Sequence, residues 1–482
     1  MDLKHLISQE DLIARRSKIK KVFFYRICGA GMGPAAVLIK QAGFEVEGAD
    51  SAFYPPMSTF LESTGIPLYK LDQVNPEFLK QYDLIVVGNS VAGKLEAARM
   101  IEQTGVPFTS FPSALGSLVL KEKNVIGIAG THGKTTTTYF MTQLLEKLGQ
   151  NPGYLVGGII EGRDPSKLGD KYFVIESDEY DSAYFHKISK FRLYEMTSMI
   201  LTSLEYDHAD IFSSVEKIED EFRAVIPNME STLIFNQEYP SAMKLFKEYS
   251  QKNPAQKWYL YGEGAEMGPH QVETHEQGSN FTVRWKGEDI PFKTNVVGQH
   301  NVLNITSCII FLLSEGFKAS DVQKATAELE MVKRRQEVRG KYRDMIVIDD
   351  FAHHPRAITV TMDAIRARYK GKKIITIFEP ISATARSSIF QNEFRDSLAA
   401  SDKVIIAKPD LPTTALGGQD LDGEKLAREI SSKGKSSICV KNLDDLKKSI
   451  DEYAEKDAVL LVLSNRTCLG LWESNFVHEL KS

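Results

Sequence analysis

Short β-branched apolar runs recur along the whole chain, and between them lie stretches whose apolar residues repeat at helical spacing. That alternation admits few folds. Strands separated by crossover helices pair in parallel, so the expectation is an α/β protein with mostly parallel sheets. Residues 22–27, the segment ending at Asp50 and residues 84–87 form a first series. A second runs through 124–129, 172–176, 199–202 and 232–235, and a third through 346–348, 374–378, 404–407, 437–440 and 459–463. At 482 residues the chain exceeds what one hydrophobic core holds, so the series are read as three sheet-forming blocks. Lys121-Glu122-Lys123 and Lys333-Arg334-Arg335 are the candidate boundaries. The polar region 251–295 reads as a small antiparallel appendage of the middle block.

Composition narrows the partners. With 42% hydrophobic and 26% charged residues the chain is an ordinary globular protein. A net charge of −5, mixed along the length, leaves no basic footprint for nucleic acid or an anionic membrane. Cys28, Cys308, Cys439 and Cys468 are far apart, without the pairing of a zinc site or a disulfide framework. The charged N-terminus lacks the apolar core of a signal peptide and no apolar run reaches membrane-spanning length, so a cytoplasmic protein is expected.

The sharpest functional signal begins at residue 124. A strand-like Asn-Val-Ile-Gly-Ile-Ala runs into Gly130-Thr131-His132-Gly133-Lys134-Thr135-Thr136, followed by a helical stretch ending at Gly149. Strand, glycine loop and helix N-terminus in that order gather free backbone N–H groups and the positive end of a helix dipole at one point, which suits the phosphates of ATP. Lys134 reaches the outer phosphates and the Thr135 hydroxyl ligates the accompanying Mg2+ in such loops. Spacing departs from the strict Walker pattern, because Ile128 stands where its first glycine belongs.

Other polar groups stand at strand ends, where open α/β sheets place ligands. Glu176-Ser177-Asp178-Glu179-Tyr180-Asp181 offers hard oxygen ligands for magnesium, or else a solvated acidic turn. Glu205-Tyr206-Asp207-His208-Ala209-Asp210 makes His208 a metal or phosphate candidate, or a structural histidine. Asn304, in Gly298-Gln299-His300-Asn301-Val302-Leu303-Asn304, pairs a donor and an acceptor suited to an adenine edge, or serves as a cap. Arg335 lies in a run fit for phosphoryl charge or for a solvated surface, and Asp350 in Asp349-Asp350-Phe351-Ala352-His353-His354-Pro355 is a ligand or a helix cap.

Taken together, GTHGKTT, ESDEYD, EYDHAD, GQHNVLN, KRRQE and DDFAHHP resemble the Mur ligase family of peptidoglycan biosynthesis over essentially the whole chain. The resemblance implies three domains: a Rossmann-like UDP-sugar-binding domain at 1–122, a central P-loop ATPase at 123–335, and a Rossmann-like C-terminal domain for the incoming amine at 336–482. It implies that Ile27 to Gly33 is the pyrophosphate loop, with Gly31, Gly33, Asp50, Asn89 and Arg386 contacting substrate. Gly130 to Thr136, Asn304, Arg335 and Asp350 would serve the nucleotide, and Thr135, Glu176 and His208 the magnesium. Lys134, His208 and Arg335 would be catalytic, and His353 is a further correspondence.

Two branches of that family act on UDP-N-acetylmuramate itself, one adding L-alanine and the other the murein tripeptide L-alanyl-γ-D-glutamyl-meso-diaminopimelate in peptidoglycan recycling. Tyr54-Pro55-Pro56-Met57-Ser58, Ser189-Lys190-Phe191 and Phe351-Ala352 resemble the second branch. Ile381 and Ala383 stand where that branch usually carries Arg and Asn, and Arg466 to Gly470 where it carries a glycine-rich turn. An altered amine acceptor, the L-alanine reaction and a non-catalytic UDP-muramyl-binding role are the alternatives. Oligomeric state is not legible.

Overall fold

A computed structural model of the chain describes residues 3–53, 56–89, 91, 96–157, 162–207, 211–275, 277–409 and 420–481, with side chains at 383 and 384 left aside. It forms two compact units, one of residues 1–206, 214–268 and 304–325 and the other of 207–213, 269–303 and 326–482.

Two sheets of mainly parallel strands lie in the first unit. In the smaller the strands run Leu68–Lys70, Glu45–Asp50, Lys21–Tyr25, Leu84–Val87 and Phe108–Ser110 across the sheet, all parallel. Leu84, Ile85, Val86 and Val87 are all fully buried, so this continuous apolar run is covered on both faces, as crossover helices require. The larger sheet has seven strands, in the order Lys257–Tyr261, Thr232–Asn236, Ser198–Leu201, Asn124–Ala129, Tyr172–Ser177, Gly153–Leu155 and Ser166–Lys167. Only its last pairing is antiparallel.

Asn124–Ala129 therefore lies between Ser198–Leu201 and Tyr172–Ser177, strands distant from it in sequence. Its register sets Ile128 against Glu176 and Ala129 against both Ser177 and Leu201. Three strand ends converge there. The acidic run leaves one neighbour, Thr202 to Asp207 leaves the other, and the glycine loop rises between them into the helix Lys134–Lys147. Beyond the acids the chain turns through a hairpin of Asp181–Ala183 and His186–Ser189.

The second unit contains a six-stranded sheet ordered Glu337–Tyr342, Met345–Asp350, Val459–Ser464, Ile374–Glu379, Lys403–Ala407 and Ser436–Val440. The first pair is antiparallel and the rest are parallel. His270–His275, Gly278–Trp285 and Glu288–Thr294 make a separate three-stranded antiparallel sheet.

The expected α/β class and the apolar runs of all three series are found, with ends displaced by a residue or two. Lys257–Tyr261 departs from the expectation for 251–295: it is a parallel edge strand of the seven-stranded sheet, because its Trp258, Tyr259 and Leu260 register with Leu233, Ile234 and Phe235. The antiparallel part is present but compacts with the second unit. Strands of two or three residues, such as Ser166–Lys167, are too short to show a period. Among the described residues no helix is long and apolar enough to cross a membrane.

Candidate active site

The glycine loop depends on two left-handed backbone positions. Gly130 has φ +129°, and a Cβ there would lie 2.6 Å from the Ser203 carbonyl oxygen and the Thr202 hydroxyl. Gly133 has φ +83°, caps the helix Lys134–Lys147, and a Cβ on it would meet Asn304 Oδ1 at 2.9 Å. Only glycine fits both the conformation and the space.

Polar groups after Ser198–Leu201 stitch the loop down. The Thr202 hydroxyl shares its one hydrogen between Ala129 O at 3.0 Å and His132 O at 2.5 Å, while His132 N donates to Ser203 Oγ at 2.7 Å. Thr131 Oγ accepts from Glu205 N at 2.9 Å, and His132 Nε2 stands 3.4 Å from Glu205 Oε2. Gly130, Thr131 and His132 thus have their positions set by the neighbouring strand end.

The acidic run is not a solvated turn; its members have separate targets. Glu176 accepts from Thr135 Oγ at 2.8 Å and from Gly157 N at 2.9 Å. Asp178 accepts from Lys190 Nζ at 2.7 Å. Glu179, only 2% exposed, lies 3.1 Å from Lys134 Nζ, which also donates to Gly130 O. Burial by itself pulls the Lys134 pKa down, but Glu179, Asp178 and Glu176 outweigh it and hold the ammonium above the usual lysine value. Asp181 accepts from Asn89 Nδ2 at 2.9 Å and pairs with Lys187. The hairpin that follows brings His186 Nδ1 within 3.0 Å of Ser110 Oγ, and burial holds that imidazole's pKa below its ordinary value.

The other glycine loop, between Lys21–Tyr25 and the helix Met32–Gln41, is built around Asp50. This carboxylate accepts from Cys28 N at 2.9 Å and Ser51 N at 2.7 Å, with Arg26 Nη1 at 3.4 Å. Burial, with a smaller push from Asp50, raises the Cys28 thiol to about 11 and keeps it protonated. Asp50 therefore fastens the loop. Gly31 faces the Phe111 ring, 2.8 Å from where a Cβ would stand, and Gly33 faces the Met57 sulfur.

In the second unit Asp350 is buried at 4% exposure and accepts from Gln336 N and Ala352 N, both at 2.8 Å. The Arg335 guanidinium lies over the Phe351 ring, 5.0 Å from its centroid, between Arg334 and Gln336, two residues in left-handed backbone. Gln336 Nε2 is 3.1 Å from His300 Nε2, whose pKa burial, aided by Arg335, pushes down to about 4. Glu379, 2% exposed, accepts from Cys468 N at 3.1 Å and Leu469 N at 2.7 Å. Cys468 and Leu469 hold φ +56° and +52°, so the turn that departs from the glycine-rich pattern is fixed by a buried carboxylate. Arg386 ends the short helix Ala383–Arg386, its carbonyl accepting from Leu421 N. His353 Nδ1 is 3.0 Å from Phe351 O.

Of the sequence-derived candidates, the structure brings Gly130, Thr131, His132, Gly133, Lys134, Thr135, Glu176 and Asn304 into one cluster, with Thr136 following in the helix. Gly31, Gly33 and Asp50 form a second, and Asn89 meets Asp181. Arg335, Asp350 and Arg386 belong to the other unit. His208 and the Tyr54-Pro55 motif lie outside the described residues. Among the described residues no group of three His, Cys, Asp or Glu is placed to hold a metal. Paired oxygens of Thr135 and Glu176 at 2.8 Å are nonetheless a hard donor set that fits magnesium, and the loop N–H groups with Lys134 fit a polyphosphate. Sequence reasoning missed Thr202 and Ser203, and read Glu179 only as one acid of a run suited to magnesium. The signal for the first two was a Thr-Ser pair directly at a strand end.

Three family models match: the Mur ligase family catalytic domain over residues 21–123, the Mur ligase middle domain over 128–312, and the Mur ligase glutamate ligase domain over 334–466. The chain is 33% identical over 472 residues to a Haemophilus influenzae protein named UDP-N-acetylmuramate:L-alanyl-gamma-D-glutamyl-meso-2,6-diaminoheptandioate ligase, covering 94% of this chain and 98% of that one. An Escherichia coli K12 protein of the same name is 35% identical over 404 residues, 81% of this chain and 85% of its own. Among solved structures, a murein peptide ligase from Psychrobacter arcticus superposes with TM-score 0.65 at 27% identity, covering 94% of this chain and 97% of that one.

Proposed function

The chain belongs to the Mur ligase family, and from that premise we propose that it is an ATP-dependent ligase joining L-alanyl-γ-D-glutamyl-meso-diaminopimelate to UDP-N-acetylmuramate. The observation that carries this reading is the strand-end cluster of Lys134, Thr135 and Glu176 at a glycine loop built for phosphates. A carboxylate does not acylate an amine until one oxygen becomes a good leaving group. The muramate carboxylate oxygen attacks the γ-phosphorus of ATP, the bond to the ADP oxygen breaks, and an acyl phosphate forms. The peptide amine then attacks the acyl carbon, phosphate leaves, and the amine proton passes to a base or solvent.

In this scheme Lys134 and the loop N–H groups of Gly130 to Thr136 hold the outer phosphates and stabilise charge on the transferring phosphoryl group. Thr135 and Glu176 are the residues that would hold Mg2+, with His208 as a further ligand; the ion supplies Lewis-acid stabilisation of phosphoryl oxygens. Asn304 lies against Gly133 and is assigned to the nucleotide, as are Arg335 and Asp350. The loop at Gly31 and Gly33, with Asp50, Asn89 and Arg386, is assigned to the substrates. Because the proposed reaction relies on ATP and a UDP-sugar, it is assigned to the cytoplasm.

ADP release, measured with UDP-N-acetylmuramate and a panel of acceptors, tests the proposal. Release that depends on both the UDP-sugar and the tripeptide is expected. Preference for free L-alanine would replace it with the alanine reaction, preference for a peptide with another third residue would change the acceptor, and no ADP release at all would leave a binding role.

A further inference from the structure

Lys134 is the first residue of a fourteen-residue helix, so its ammonium sits at the positive end of the helix dipole. Its side chain is also largely buried, at 12% exposure. Both circumstances oppose a cation, and an apolar or neutral neighbour would let the side chain swing to water. What holds it is Glu179, with the Lys134 Nζ to Oε2 distance at 3.1 Å and the carboxylate side chain itself 3% exposed. Glu179 is in turn fixed by its own backbone: Ser189 Oγ donates to Glu179 O at 2.6 Å and Lys190 N donates to Tyr180 O at 3.1 Å. The hairpin beyond the acids thereby clamps the carboxylate in place.

An ammonium has three N–H bonds. Gly130 O takes one and Glu179 Oε2 another, which leaves a single N–H for a phosphoryl oxygen. We propose that Glu179 is a positioning residue for phosphoryl transfer: with the Gly130 carbonyl it fixes the Lys134 ammonium so that one N–H remains for the transferring phosphoryl group. The carboxylate has a second effect of opposite sign. Its negative charge lies beside the polyphosphate site and weakens ground-state binding of ATP, so Glu179 trades nucleotide affinity for a fixed ammonium. This rests on the ligase reading above and adds a residue to it.

Glu179→Gln keeps the shape and removes the charge, and Glu179→Asp keeps the charge but withdraws it by one methylene. Steady-state kinetics in ATP with saturating UDP-N-acetylmuramate and tripeptide, together with titration of MgADP into each protein, separate the effects. Glu179→Gln is expected to lower kcat roughly tenfold while KM for ATP and the MgADP dissociation constant fall severalfold, since a charge-assisted bond is lost along with a repulsion. Glu179→Asp is expected to lower kcat with little change in nucleotide affinity, and it carries the test if the Gln variant does not fold. Values of kcat within twofold of the parent in the folded variants overturn the proposal, as does a loss of activity accompanied by weaker MgADP binding, the signature of a merely structural residue. If the parent protein releases no ADP with both substrates present, the ligase reading itself fails, which is a different result from an active parent and indifferent variants.

Discussion

Two loops of the first unit share one plan: each leaves a central parallel strand, carries glycines and opens a helix, Met32–Gln41 in one and Lys134–Lys147 in the other. Their glycines answer to different constraints. Gly130 and Gly133 hold left-handed backbone, and a Cβ on Gly130 would strike the Ser203 backbone. Gly31 and Gly33 lie outside the left-handed region and face side chains, the Phe111 ring and the Met57 thioether. A backbone obstacle is fixed, whereas a side chain can change rotamer. Glycine is thus required by backbone conformation in one loop and by side-chain packing in the other, and the sequence separates the two by spacing, Gly130-x-x-Gly133 against Gly29-x-Gly31-x-Gly33, and by the Lys134-Thr135 pair.

The comparison makes graded predictions. Lys134→Ala should reduce turnover by about a thousandfold or more, because a donor to transferring charge is removed, while the thermal unfolding midpoint stays near that of the parent. Activity within tenfold of the parent would break the assignment. Gly130→Ala should follow, with strain of about 1–3 kcal/mol visible in chemical denaturation and weakened MgATP binding by titration.

Gly31→Ala should cost less, roughly 1–2 kcal/mol of overpacking against Phe111, and the double variant Gly31→Ala with Phe111→Leu should recover part of it. If Gly31→Ala instead proves as damaging as Gly130→Ala and the double variant recovers nothing, the two loops are alike after all. The smallest effect is expected for Asp50→Asn. It weakens the charge-assisted bonds to Cys28 N and Ser51 N by about 1 kcal/mol, read as a severalfold rise in KM for UDP-N-acetylmuramate with KM for ATP unchanged.

Much of the fold was legible because parallel strands buried on both faces are continuous apolar runs, as at Leu84–Val87, Asn124–Ala129 and Val459–Ser464. Strands of two or three residues were not, since Leu68–Lys70 or Gly153–Leu155 carry no readable period. Lys257–Tyr261 was hidden for another reason: its edge position leaves Trp258, Tyr259 and Leu260 half-buried, and its surroundings are polar. In the candidate site, Lys134, Thr135 and Glu176 announce themselves by motif. Glu179 did not, because four acids in six residues look alike until their partners are known.

What the sequence by itself determined is the set of local units: a strand, a glycine loop whose φ requirements exclude other residues, and a helix whose N-terminus attracts phosphate. Those depend on backbone sterics and on periodicity within some twenty residues. The partners of each acid were decided by tertiary structure alone. Tyr172–Ser177 lies beside Asn124–Ala129 with Glu176 in register with Ile128, and that pairing across the sheet is what carries Glu176 to Thr135 and Glu179 to Lys134. Long-range register has no local signature, since it is set by which apolar faces can be buried together, so the acidic run acquired its separate roles only when the sheet closed around it.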